Sequence, residues 1–298
     1  MNMREQEGLI PVEGGYRVWY RVVGGGAGHE SIPLLVLHGG PGAPHDYLEN
    51  LAALASDTRR VIFYDQLGCG RSDKPDESTI RQWGVQRFVD ELATVRRALG
   101  LDRVHILGQS WGGMLAIEYA LTQPSGLVGL ILSNTTPGIP LWLAEANRLR
   151  SELPPEVNAT LLRHEEAGTT ASSEYQEAMG VFYDRHVVRV KPMPDFVQRT
   201  FDNMSAVYYI MNGPSEFHVI GVIKDWDRSD RLSEIRVPTL ILSGEYDEST
   251  PTINEVLRKG IPGSEWVLLE GCSHLSHVEE PERYMQFVQN FLHKVEGA

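Results

Sequence analysis

The stretch HILGQSWGGMLAIEYA, His105 to Ala120, decides how the rest of this chain is read. It opens with the end of an apolar run, turns through Gly108-Gln109-Ser110-Trp111-Gly112, and continues into an Ala- and Leu-rich segment of helical character. A Gly-x-Ser-x-Gly pentapeptide is short enough to recur by chance, but strand, sharp turn and helix in that order are what a nucleophile elbow requires. The glycines have a steric reason, because a turn that aims a serine outward leaves no room for Cβ atoms beside it. The competing reading is a glycine-rich helix start with Ser110 as its N-cap. The strand-turn-helix context favours a nucleophile.

Further runs of the same kind flank this stretch. Residues 32–38, 59–65, 102–108, 127–134, 237–244 and 264–271 are rich in Val, Ile and Leu without clean alternation, as strands covered on both faces should be. Helix-like segments at 80–100, 111–124, 251–260 and 281–295 separate them. The alternation predicts an α/β protein with a mostly parallel, twisted sheet. GLIPVEGGYRVWYRVVG near the start reads as an antiparallel hairpin turning at Gly14–Gly15. Between about Pro137 and Asp230 the alternation stops, and helical patterns with several prolines replace it. The expected division is therefore a core of residues 1–136 and 231–298, with a helical cap domain, 137–230, inserted over the carboxyl edge of the sheet.

Serine is a weak nucleophile and needs a base, which in turn needs an orienting acid. For a serine on this kind of elbow the chain order is Ser, then Asp or Glu, then His. Asp247 in SGEYDEST (243–250) and His274 in LLEGCSHLSH follow successive strand runs, at the carboxyl ends where an open α/β sheet binds its ligands. His277 competes as the base but sits nearer the last helix, so His274 is preferred. His38, at the end of an early strand, is expected to bond loop backbone. The HGGPG that it begins is a poor phosphate loop, since Pro41 removes an N–H and no Walker lysine follows. It reads better as an oxyanion loop, with the backbone N–H groups of Gly40 and Trp111 as the two donors.

The chain has 298 residues and a formal net charge of −13, with no basic cluster, which argues against nucleic acid as a partner. No apolar run has the length of a membrane span, and the N-terminal stretch lacks the apolar block of a signal peptide. Two cysteines, Cys69 and Cys272, imply no disulfide framework, so a cytoplasmic location is expected. His274-x-x-His277 has no further ligands around it, so no metal and no cofactor are expected.

LHGGPGAPHDYL, VIFYDQLGCGRSDKP, LGQSWGGMLAIEYA, YIMNGPSEFHVIGVIKDWD, GEYDEST and CSHLSHVEEPERY together resemble the proline iminopeptidases of the α/β-hydrolase superfamily. They are most similar to the subgroup that includes the archaeal tricorn-interacting aminopeptidase, and the likeness runs from the first hairpin to the last helix. The resemblance implies an α/β-hydrolase fold with a helical cap. It also implies a metal-independent serine aminopeptidase that releases N-terminal residues, proline among them, from short peptides through an acyl-enzyme. On the matching positions the nucleophile is Ser110, the acid Asp247, the base His274 and the oxyanion donors Gly40 and Trp111. Two glutamates that bind the substrate amine in that subgroup fall on Glu216 and Glu248. Paired carboxylates suit the task, because a desolvated ammonium is costly unless several acceptors surround it.

One departure bears on substrate range. The larger proline-specific bacterial subgroup reads more like GSWGS at the elbow, whereas Gly113 follows QSWG here. Relatives of the present type accept other N-terminal residues, amino-acid amides and aryl-amides. The alternative function is thus an amidase or esterase acting on small amides, aryl-amides or esters with the same triad. The specificity pocket is expected from Trp111 and the cap aromatics Tyr208, Tyr209, Phe217 or Phe182. Epoxide hydrolases and haloalkane dehalogenases of this superfamily carry Asp where this chain has Ser110. A non-catalytic member would lack one of the triad, and none is missing.

Overall fold

Strand β5 (Val104–Gln109), which leads into the elbow, is buried at all six positions, as only a central strand covered on both faces can be. The computed structural model describes residues 4–26 and 31–297, so the first three residues of the stretch read for a leader lie outside it. Around β5 the described residues build one eight-stranded sheet with β1 (Glu5–Pro11), β2 (Arg17–Val23), β3 (Leu34–Leu37), β4 (Val61–Tyr64), β6 (Leu127–Ser133), β7 (Thr239–Gly244) and β8 (Glu265–Leu269). Its order is β1-β2-β4-β3-β5-β6-β7-β8. The β1–β2 hairpin and the β2–β4 pair are antiparallel, and every other pair is parallel. All six strand runs and the hairpin expected from the sequence are present.

The period of two along each strand divides the core between the faces. Leu35, Leu37, Ile62, Ile106, Leu130 and Leu132 join one apolar cluster, while their neighbours Leu34, Val36, Phe63, Leu107, Ile131 and Leu242 join another. Of the first helices, α1 (Glu77–Ile80), α2 (Val85–Ala98) and α3 (Trp111–Leu121), the last two cover the first face with Phe88, Leu92, Met114 and Ile117. Each such side chain, fully buried, contributes about 1.5–3 kcal/mol. The single helix expected over 80–100 is in fact two. Asp76 caps α1 by accepting the Thr79 N–H at 2.8 Å, and Gly84 is extended (φ −123°, ψ 176°) before α2 begins.

Five α-helices lie between β6 and β7, α4 (Ile139–Ser151), α5 (Pro155–Ala167), α6 (Ser173–His186), α7 (Asp195–Asp202) and α8 (Ala206–Met211), followed by a 3₁₀ turn at Ser229–Glu234. Among the described residues this region carries no strand, only the isolated bridges Gly138–Asp227 and Ser215–His218. Its two ends meet, because the Ile139 N–H donates to Trp226 O at 2.8 Å and the Arg228 N–H to Pro137 O at 2.8 Å. Beyond it come α9 (Pro251–Gly260), α10 (Ser276–Glu279) and α11 (Pro281–Glu296). Helix α11 and the 3₁₀ segment His45–Leu54 cover the second face with Tyr284, Val288, Phe291, Leu48 and Leu51. No helix among the described residues is long and apolar enough to cross a membrane.

Candidate active site

Ser110 sits between β5 and α3 with φ 55° and ψ −126°, a left-handed conformation that costs a non-glycine residue about 1–3 kcal/mol. Close packing holds it there. A Cβ on Gly108 would stand 2.1 Å from Gly112 O, and one on Gly112 would stand 2.2 Å from Leu37 O, so neither position admits a side chain. The Ser110 N–H donates to Ser133 O at 3.0 Å, and the Thr135 hydroxyl donates to Ser110 O at 2.7 Å, pinning the turn to the end of β6.

The loop after β7 and the loop after β8 bring Asp247 and His274 together. His274 Nδ1 lies 2.8 Å from Asp247 Oδ1, which fixes the tautomer with the proton on Nδ1 and leaves Nε2 as the basic nitrogen. Asp247 is fully enclosed and further held by the Ser249 N–H at 2.8 Å and by Asn134 Nδ2 at 2.7 Å. His277 is placed otherwise. Its Nε2 donates to Tyr47 O at 3.0 Å, and burial drives its pKa down to about 4, so it is a neutral structural histidine. His38 likewise accepts the Gln66 N–H on Nε2 at 2.9 Å and donates from Nδ1 to Gly39 O at 3.0 Å. Gln66 Oε1 in turn accepts the Trp111 indole N–H at 2.9 Å, so His38 and Gln66 bind the HGGPG loop to the elbow.

Gly40, Ser110, Glu216, Glu248 and His274 line one cavity of about 60 Å³. A second of about 20 Å³ shares Gly40, Ser110 and Glu216 with it and adds Trp111, Met114, Ile139, Trp142 and Ile223. The structure thus brings all seven sequence-predicted site residues around one centre. Gly40 has φ 107°, suited to glycine. Trp111 is the first residue of α3, so its N–H has no acceptor within the helix and remains available beside Ser110. A larger recess of about 520 Å³ opens at the far sheet edge between Arg4, Tyr20, Arg60 and Leu99, but none of the residues around it is a nucleophile beside a base.

The electrostatics of the cavity are one-sided. Glu248 is fully buried, and among the described residues neither of its carboxylate oxygens has a hydrogen-bond partner, with His274 Nε2 at 3.8 Å from Oε1. Glu216 accepts the Tyr208 hydroxyl at 2.7 Å, and its carbonyl accepts the Trp142 indole N–H at 2.7 Å. Burial raises the pKa of both carboxyls, and for Glu248 the charges of Glu216 and Asp247 raise it further. Among the described residues neither Lys nor Arg lines this cavity. Two carboxyls that share a cavity with no Lys or Arg among its described lining residues are the arrangement that a cation from outside would suit.

Glu245, the third acid of SGEYDEST, accepts the Gly271 N–H at 2.9 Å and so braces the β7 loop against the β8 loop. The expected aromatic pocket is only partly there. Trp111 lines the smaller cavity and Tyr208 holds Glu216, but Phe182 and Phe217 are core residues and Tyr209 points to solvent at 58% exposure. Trp142, Met114, Ile139 and Ile223 take their place. Met114, Ile139 and Trp142 stand on helices, where spacing in the sequence could not distinguish wall from core, and Ile223 stands in a turn with no periodicity to read. His38, Asp65 and Cys69 bring donor atoms within 4.8 Å of one another. Those atoms are already engaged, Asp65 by the His45 and Arg71 N–H groups at 2.9 and 2.8 Å and Cys69 with Gln66 O at 3.1 Å.

The alpha/beta hydrolase fold family matches residues 32–281. A proline iminopeptidase of Heyndrickxia coagulans is 42% identical over 291 residues, 97% of this chain and 99% of that protein. One from Saccharolobus solfataricus is 41% identical over 94% of this chain and 89% of its own length. Among solved structures, proline iminopeptidase of Mycobacterium smegmatis superposes with a TM-score of 0.89 at 43% identity, covering 97% of this chain and 98% of that one. The crystal structure of VinJ gives a TM-score of 0.93 at 43% identity, with 97% and 99% covered.

Proposed function

We propose, from the premise that this chain belongs to the α/β-hydrolase family and within it to the proline iminopeptidases, that Ser110, His274 and Asp247 cleave the bond after an N-terminal residue whose free amine Glu216 and Glu248 hold. The protein is a serine aminopeptidase of the prolyl type. The observation that carries the residue assignment is the pair of uncompensated carboxyls in the cavity of Ser110 and His274. A protonated N-terminal proline nitrogen has two N–H bonds, one for each glutamate, and its carbonyl carbon is only two bonds away. Amine recognition at that spot sets the scissile bond over Ser110.

His274 Nε2 takes the Ser110 proton as Oγ attacks the carbonyl, and Asp247 steadies the imidazolium so formed. The Gly40 and Trp111 N–H groups receive the oxyanion, and loss of one such donor typically costs about 10²–10³ in turnover. Collapse of the tetrahedral intermediate sends the proton from Nε2 to the leaving amine and leaves the prolyl ester on Ser110. Water, deprotonated by the same nitrogen, then releases proline. The reading takes residues 137–230 as a cap domain over a core of 1–136 and 231–298, since Tyr183, Phe201 and Met204 from that region close the cavity. Their apolar wall also favours the second reading, an amidase or esterase accepting apolar leaving groups. Two free, buried cysteines suit a cytoplasmic enzyme.

The test compares a prolyl anilide with its N-acetylated form. Turnover confined to the free amine is expected, and equal turnover of the two would sink the amine-recognition assignment. Ser110→Ala should abolish both this activity and that on simple esters.

A further inference from the structure

Acyl transfer needs three loops to hold still relative to one another: the one that carries the Gly40 N–H, the elbow at Ser110 and the loop of His274. One side chain outside the triad bonds two of them directly and the third through a single intervening residue. Tyr47 stands in the 3₁₀ segment after HGGPG and is 4% exposed. Its hydroxyl accepts the Gly39 N–H at 2.7 Å and donates to Gln109 Oε1 at 2.5 Å. Gln109 Nε2 then donates to the carbonyl of His274 at 3.2 Å. The chain of bonds has one direction. With Gly39 donating to it, the hydroxyl has its single proton for Gln109, and this fixes which way the Gln109 amide faces.

The backbone of Tyr47 is held from two further sides. Its N–H donates to Thr200 Oγ1 of α7 at 2.9 Å, and its carbonyl accepts His277 Nε2 at 3.0 Å. Burial pushes the phenol well above its usual pKa, so it stays a neutral donor and acceptor throughout. A buried tyrosine is ordinarily satisfied by whatever lies near. Here each partner of the hydroxyl relay is a reacting residue or its immediate chain neighbour: Gly39 precedes Gly40, Gln109 precedes Ser110, and the relay ends on His274 itself.

We infer that Tyr47 is a positioning residue for acyl transfer, whose hydroxyl, through Gly39 and Gln109, sets the oxyanion loop and the base loop against Ser110. Removing that one oxygen slows the chemistry and leaves substrate binding in place. The inference rests on the serine-hydrolase reading above, and Ser110→Ala tests that reading separately. If Ser110→Ala kills activity while Tyr47→Phe does nothing, only the role of Tyr47 falls.

The experiment measures Tyr47→Phe, Gln109→Ala and the double variant on a prolyl anilide. It also measures inhibition by pyrrolidine-2-boronic acid, a tetrahedral mimic of the attacked carbonyl, and by prolinol, which has no carbonyl. For Tyr47→Phe, kcat is expected to fall about 10- to 100-fold with KM within about threefold, the size of effect an ångström of misplacement produces. Boronate affinity should fall with kcat, while prolinol affinity holds. The double variant should be no slower than the slower single one, because both residues belong to one relay. Multiplying effects, parallel loss of boronate and prolinol affinity, or an unchanged kcat would overturn the inference. So would failure of both single variants to fold, since the relay would then serve stability alone.

Discussion

The two ring nitrogens of His274 face consecutive residues of one turn, with Asp247 Oδ1 at 2.8 Å from Nδ1 and Glu248 Oε1 at 3.8 Å from Nε2. The first distance is a hydrogen bond and the second is not. Nε2 therefore stays available to Ser110, while Glu248 keeps its acceptor capacity for another partner. About one ångström of placement leaves one of two adjacent acids bonded to the ring and the other without a hydrogen bond to it.

Asp247→Asn keeps the size of the side chain but can present an N–H to the ring, which then no longer holds its proton on Nδ1. Turnover should fall by about 10⁴, as for an amide in the equivalent place of a serine protease triad. Steady-state kinetics on an anilide and on an ester check it, and both should fall together because the base serves both.

On the proposed reading, Glu216→Gln and Glu248→Gln each replace a carboxyl that would ionise against the substrate ammonium by an amide that cannot. A charge-assisted hydrogen bond is worth about 1.5–3 kcal/mol, so KM for a free-amine prolyl substrate should rise about 10- to 100-fold. A simple acyl ester, which has no ammonium, should react at the parental rate. Unchanged KM for the free-amine substrate would remove the glutamates from amine recognition.

Glu248 also links stability to pH. Its folded pKa lies well above the ordinary 4.5 because of burial and then the charges of Glu216 and Asp247. A group shifted this way contributes stability that is complete below its unfolded pKa and is lost as pH rises through the folded one. Glu248→Gln, which is never ionised, should therefore melt higher than the parent at alkaline pH, by about 2–4 °C for each kcal/mol. The gap should close in acid, and calorimetry across pH measures it. For the same reason, kcat/KM for ammonium substrates should fall in acid through a group that the Gln variant lacks.

Gly112→Ala places a methyl 2.2 Å from Leu37 O and 2.8 Å from His38 O, both rigid backbone. The elbow and the end of β3 must move apart. We expect a loss of about 1–3 kcal/mol in urea unfolding and a disproportionate fall in turnover, since the shift carries Ser110 with it.

The sheet was legible because β3 to β7 are buried on both faces and so are written as plain apolar runs. Asp247 and His274 were legible because order along the chain and position after a strand restrict the choice. Asn134 was not. It holds Asp247 from the end of β6, and its only trace is an asparagine where the strand must turn through φ 50°. Tyr47 and Gln109 were hidden for a different reason, since their partners lie 8 to 165 positions away and no local pattern marks such bonds. Cap aromatics were harder still, because a buried Phe182 and a cavity-lining Phe201 look alike in sequence.

Between β6 and β7 the chain passes through a neck, where two backbone hydrogen bonds tie Ile139 to Trp226 and Arg228 to Pro137. Whatever lies beyond that neck closes a loop whose ends are already fixed. Loop-closure entropy grows only logarithmically, about 0.6 kcal/mol for each doubling of length. If this segment is the cap proposed above, the cover of Ser110 is a tolerant place for insertion, deletion or wholesale exchange. The catalytic floor can stay as it is while a different ceiling selects a different substrate.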